Sequence, residues 1–199
     1  MKKLTLLLSS LLTIFSLSAA NFKIDIDGRD GNITLNAGRQ LSGVRAINPA
    51  WAGAQKKSYL CFEGNVTSEW QTFSITFTPS ASGTVKLNIR GSYKTPPAAD
   101  WIAYDNFRAN GTTIQNPSVE KLTANIPNNW SRGHYGVITN DGNASHGENY
   151  MASSHNVSVY QLVTVKANEP VTVTFDAKFD RSTPNQGHPE SPLHKKVSK

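Results

Sequence analysis

A chain of 199 residues with a single cysteine, Cys61, cannot be a disulfide scaffold. Its net charge of +6 falls to +4 once Lys2 and Lys3 of the leading segment are set aside, and Lys195, Lys196 and Lys199 supply three of the remaining positives. With no basic stripe elsewhere there is no nucleic-acid surface, and beyond the leading segment no apolar run approaches the roughly 18 residues of a membrane span.

In chain order, "MKKLTLLLSSLLTIFSLSAA" has a lysine start, an apolar stretch and the small residues Ser18 and Ala20. It reads as a signal peptide over 1–20, cleaved near Ala20, which makes the product secreted, periplasmic or held at the cell surface. Period-2 alternation follows. "FKIDID" and "NITLN" flank a glycine-rich turn, and "SYLCFEG" carries Cys61 as a buried strand thiol. In 71–77, Phe73, Ile75 and Phe77 share one face and Thr72, Ser74 and Thr76 the other. "PSASG" at 79–83 is turn chemistry before "TVKLNIR", whose Lys86, Asn88 and Arg90 fall on the polar face, so these two strands read as a hairpin. "VSVYQLVTV" and "VTVTFDAKF" read as another, while 47–57 and 138–156 read as loops. From Arg181 the chain holds three prolines and little to bury, which reads as a disordered tail over 181–199. No segment keeps a 3.6-residue apolar repeat, so the fold class is all-β, an antiparallel β-sandwich.

Residues 67–111, "TSEWQTFSITFTPSASGTVKLNIRG" to "WIAYDNFRANG", resemble the second half of the cellulose- and xylan-binding modules of the CenC-like type, which are galactose-binding-like jelly rolls. Trp70, Phe73, Phe77, Tyr104, Asp105 and Asn106 occupy the places that carry the likeness. Residues 115–180 resemble the first half, through Asn116, Glu120, Trp130, Gly147, Tyr150, Gln161 and Phe175, with Val119 where the family has Phe. The halves stand in reversed order. Either 21–113 forms one module and 114–180 begins a second, or the halves assemble into one permuted sandwich, or the chain is a truncated product.

The resemblance implies polysaccharide or oligosaccharide binding by aromatic stacking and edge hydrogen bonds. Loop aromatics Trp51, Tyr93, Trp101 and Tyr135, with Arg90 beside them, are the candidate ligand contacts. It also implies a structural calcium at Asp105 and Glu120, since hard oxygens suit that ion. Trp70 and Trp130 read as core. No GxSxG, HExxH, Walker or CxxC motif occurs, and Glu63, Glu69, Asp100 and Asp105 read as solvated charges, so the protein is expected not to be an enzyme. The rival readings are a structural or adhesive cell-surface sandwich with a protein partner, and the N-terminal fragment of a glycoside hydrolase or lyase.

Overall fold

The computed structural model describes residues 20–29, 31–41, 43–47, 57–91, 98–124, 126–132, 137–154 and 159–184. Among these there is no α-helix. The strands are β1 (Ala20–Asp27), β2 (Leu35–Ala37), β3 (Val44–Ile47), β4 (Tyr59–Val66), β5 (Gln71–Pro79), β6 (Gly83–Arg90), β7 (Ala98–Asn110), β8 (Leu122–Thr123), β9 (Ile126–Pro127), β10 (Ser131–Arg132), β11 (Val137–Thr139), β12 (Tyr150–Ser153), β13 (Val159–Val165) and β14 (Val171–Pro184). Two six-stranded antiparallel sheets pack on each other, sheet A in the order β10-β13-β6-β1-β4-β3 and sheet B in the order β11-β12-β7-β14-β5-β2; β8 and β9 pair apart from both. The molecule is therefore the all-β sandwich that the alternation predicts.

The inner faces follow from that alternation. Phe22, Ile24, Ile26, Phe62, Leu87 and Ile89 of sheet A bury completely against Ile75, Phe77, Tyr104 and Phe175 of sheet B. Each such side chain contributes roughly 1.5–3 kcal/mol. Phe175 is central, its ring 5.2 Å from that of Phe22 across the sandwich and 5.8 Å from Phe107 within sheet B. Tyr104 also ties the two layers together, accepting the Lys23 N–H at 3.1 Å and donating to the Arg90 carbonyl.

The turns differ from expectation. β5 and β6 do not form a hairpin, because β5 lies in sheet B and β6 in sheet A, and the same is true of β13 and β14 and of β1 and β2. Both members of each pair turn their apolar residues to one shared core, so the connection crosses from sheet to sheet and the strands meet face to face. Period-2 patterning assigns the buried face and leaves the hydrogen-bonding partner open. The expected loop 138–156 contains β12, buried along its whole length between β11 and β7. β14 continues to Pro184, pairing Arg181 with Trp101 and Pro184 with Ala98, four residues into the expected tail. Residues 1–19 and 185–199 lie outside the described residues.

Strands from before and after residue 113 share both sheets. β13 pairs along β6 from Val159↔Ile89 to Val165↔Gly83, and β14 lies between β5 and β7. The connection between these two parts of the chain turns at Gly111, whose φ is +81° and where a Cβ would come within 2.3 Å of the Pro170 carbonyl oxygen. It then runs beside the part of β13 that lies beyond its two-residue pairing with β10. Thr112 donates to the Thr164 carbonyl at 2.7 Å, and the buried Gln161 amide exchanges two bonds with the backbone of Gln115, at 2.7 and 2.9 Å. A side-chain amide thus does what a neighbouring strand would do at that position. Gln161→Ala is expected to lower stability by roughly 1–3 kcal/mol, since it removes two hydrogen bonds worth roughly 0.5–1.5 kcal/mol each. A urea titration of the variant beside the parent checks this.

Candidate functional site

Sheet A presents a polar outer face. Because Ile24 and Ile26 of β1 point into the core, Lys23, Asp25 and Asp27 point away from it, and the register places Asp25 beside Cys61 of β4 and Asn88 of β6. Asp25 is buried and ion-paired with the Arg90 guanidinium at 2.6 Å, while Asn88 Nδ2 donates to Asp25 Oδ2 at 3.3 Å. Asn88 Oδ1 is buried with no hydrogen-bond partner among the described residues. The Arg90 Nη2 reaches the Tyr59 hydroxyl at 3.5 Å. Burial, and then the Asp25 charge, push the Cys61 thiol up to about 12 and the Tyr59 hydroxyl well above its ordinary value. Neither ionises at neutral pH, and Cys61 is the buried strand thiol that its sequence context predicts. Toward β13, the Lys86 ammonium lies 4.0 Å from the centre of the Tyr160 ring.

At the β3 edge this face opens into a cavity of about 480 Å³ lined by Asn21, Gly43, Val44, Arg45, Glu63, Gly64 and Asn65. Glu63 is buried between two cations, Lys23 at 3.8 Å and Arg45, whose side chain is 72% exposed. Gly64 is required at this wall, because a Cβ there would come within 2.5 Å of the Phe22 ring and 2.6 Å of the Gly43 carbonyl oxygen.

Sheet B carries the second constellation. Tyr104 points into the core, so Asp105 points outward, where it is wholly buried. Asn106 follows with φ +52°, at the register shift between Thr174 and Asp176 of β14. Asp105 accepts N–H bonds from Asn106 at 2.6 Å and from His146 at 2.8 Å. Burial first, and then the nearby Glu120 charge, raise its pKa to about 6 despite those bonds. Glu120 accepts the N–H groups of Glu148 and Asn149 and the Asn149 side-chain amide, at 3.0, 3.0 and 3.1 Å. Asp176, opposite Asp105, is held below its ordinary value: burial works against that, but hydrogen bonds from Ser145, Thr72 and Asn106 prevail.

Asp105 and Glu120 are thus close enough to feel each other's charge, with no lysine or arginine paired to either among the described residues. Of about four acceptor positions on a carboxylate, these amides leave about two on Asp105 and about one on Glu120. Two hard carboxylates with charge to neutralise fit a divalent cation such as calcium. No group of three or more His, Cys, Asp or Glu that could hold a metal occurs among the described residues, so the other ligands would be backbone carbonyls or water.

The expected ligand contacts fare unequally. Trp51, Tyr93 and Tyr135 lie outside the described residues, in the connections β3–β4, β6–β7 and β10–β11. Trp101 is 2% exposed, under the Arg181 guanidinium at 4.7 Å, and a ring so covered offers no face to a sugar. Arg90 is not on a solvated face; its ion pair with Asp25 holds it in place. Glu63, Asp100 and Asp105, expected as solvated charges, are all buried, whereas Glu69 is exposed. Trp130 is core, its Nε1 donating to the Asn116 carbonyl at 3.1 Å. Trp70 is only partly buried and donates to the Asn143 carbonyl at 2.7 Å, with Tyr150 edge-on at 5.6 Å and the Lys178 ammonium 4.6 Å from its ring. The cavity at Arg45 and Glu63 carries no motif, and alternation in the short β3 was its only trace in the sequence.

Comparisons with protein families, with curated proteins and with solved structures found no match.

Proposed function

We propose that the protein is an exported, non-catalytic carbohydrate-binding sandwich that holds a polysaccharide or oligosaccharide on the outer face of sheet A. The observation that carries this reading is the open cavity of about 480 Å³, within the roughly 300–1,000 Å³ of small-ligand sites, whose wall combines two asparagines, a held ion pair and side-chain-free glycine backbone. Amides and paired charges of this kind exchange hydrogen bonds with hydroxyls, and Val44 supplies apolar surface for a pyranose ring. The likeness of 67–111 and 115–180 to cellulose- and xylan-binding modules supports the same reading. So do Trp51 and Tyr93, which the sequence places in loops joining strands of this sheet to their successors. A calcium ion at Asp105 and Glu120 belongs to the proposal as a structural element: it would neutralise the charge of buried Asp105 and exposed Glu120 on the opposite face.

Affinity electrophoresis through gels containing xylan, β-glucan, alginate or cellulose tests the function. Retardation by at least one of them is expected, with a clear loss in the Trp51→Ala/Tyr93→Ala double variant. Unretarded migration in every gel would overturn the reading.

A further inference from the structure

The charge balance of the cavity points to a narrower ligand class. Glu63 supplies one negative charge and faces two positive ones, Arg45 of the wall and Lys23, which lies beside Glu63 and outside the lining, so this three-residue cluster holds a surplus of one positive charge. The neighbouring pair Asp25–Arg90 is internally neutral and leaves that surplus uncompensated. Arg45 is positioned by β3, where its partner across the ladder is Glu63 of β4, and with 72% of its side chain exposed it can turn a donor edge to a ligand without leaving the carboxylate. Guanidinium matches a carboxylate in a two-point planar contact that a neutral hydroxyl cannot reproduce. Asn21 and Asn65, paired across β1 and β4, stand beside it with amide groups suited to hydroxyls. Gly43, where a Cβ would meet nothing within 4 Å, leaves its stretch of the wall open to a ring.

We propose that the cavity binds an acidic sugar residue of the uronate class, its carboxylate on Arg45 with Lys23 nearby and its hydroxyls on Asn21 and Asn65. This rests on the carbohydrate-binding reading of the same face and specifies its ligand. Lys23, Asp25, Glu63 and Arg90 then act as a scaffold that fixes the charge of the wall, and Arg45 is the specificity-determining residue.

Isothermal titration of the full mature chain with tetragalacturonate, an oligomannuronate, xylotetraose, cellotetraose and a sulfated oligosaccharide tests the assignment. The uronates are expected to bind about tenfold or more tighter than the neutral tetrasaccharides, weakening as salt rises. Arg45→Ala should remove about ten- to a hundredfold of uronate affinity and weaken binding of the neutral sugars far less, so that the preference between the two classes disappears. Its thermal midpoint should fall, because buried Glu63 loses its nearer cation, so the titrations are run well below that midpoint with folding confirmed by circular dichroism. Glu63→Gln should act in the opposite direction and tighten uronate binding, since it frees both cations. Equal affinity for uronates and neutral sugars would overturn the uronate assignment and leave the carbohydrate reading standing. Preference for the sulfated sugar would overturn it as well. The absence of binding to any of the five would bring down both.

Discussion

A chain ending at Thr113 will not fold; it will give the far-ultraviolet circular dichroism of a coil and no cooperative unfolding transition. The cut removes β14, which pairs from Val171↔Phe77 to Ala177↔Gln71 with β5 and reaches from Asn110 to Ala98 along β7. Sheet B is thereby opened in its middle, and β6 of sheet A loses β13. Phe175, Val173, Val171, Val163, Met151 and Trp130 leave the core with them. At roughly 1.5–3 kcal/mol for each large apolar side chain, their loss consumes the 5–15 kcal/mol of net stability a domain possesses. Adding residues 114–184 as a separate chain should restore a cooperative transition, as fragments of one core do. A 21–113 piece that is soluble and melts cooperatively by itself would show instead that the first part of the chain is a module complete in itself.

How much of this was legible in the sequence depends on which physical signal each feature leaves. Burial leaves a strong one: Phe73, Ile75 and Phe77 against Thr72, Ser74 and Thr76 assign β5 its inner face with no knowledge of its neighbours. Pairing leaves almost none, which is why β5 and β6 read as a hairpin although each hydrogen-bonds elsewhere. The polar side of a strand is ambiguous for the same reason. Alternation says that Lys86, Asn88 and Arg90 share a face, yet that face is polar and largely buried, because Asp25 from β1 lies across it and neutralises Arg90. Glu63 looked like an ordinary surface charge because its two cations come from strands 18 and 40 residues earlier in the chain. The proximity of Asp105 and Glu120 was expected from resemblance alone. It is produced by the 145–149 segment, whose amides hold both carboxylates, and which read in the sequence as polar loop.

That carboxylate pair gives the second large effect, in the pH dependence of stability. Asp105 titrates at about 6 in the folded protein, raised by burial and by Glu120, against 3.8 in the unfolded chain. Between those values the folded state holds a proton that the unfolded state has lost, so unfolding free energy falls as pH rises through the window and stays reduced above it. The shift of about two pH units corresponds to about 3 kcal/mol. Asp105→Asn cannot titrate there, and whatever its amide costs against the N–H of Asn106 or His146 is independent of pH. The parent should therefore lose roughly 2–2.5 kcal/mol of this relative to the variant between pH 4 and pH 7 in paired urea titrations, the remainder falling outside that window. Parallel pH profiles would remove Asp105 as the source. Calcium reverses the sign, because proton and cation compete for the same oxygens. Saturating calcium at pH 7 should raise the parent's urea midpoint and flatten its decline with pH, while Asp105→Asn and Glu120→Gln should not respond. Superimposable curves in calcium and in chelator would mean that the amides of residues 145–149 alone hold the pair, with no ion between them.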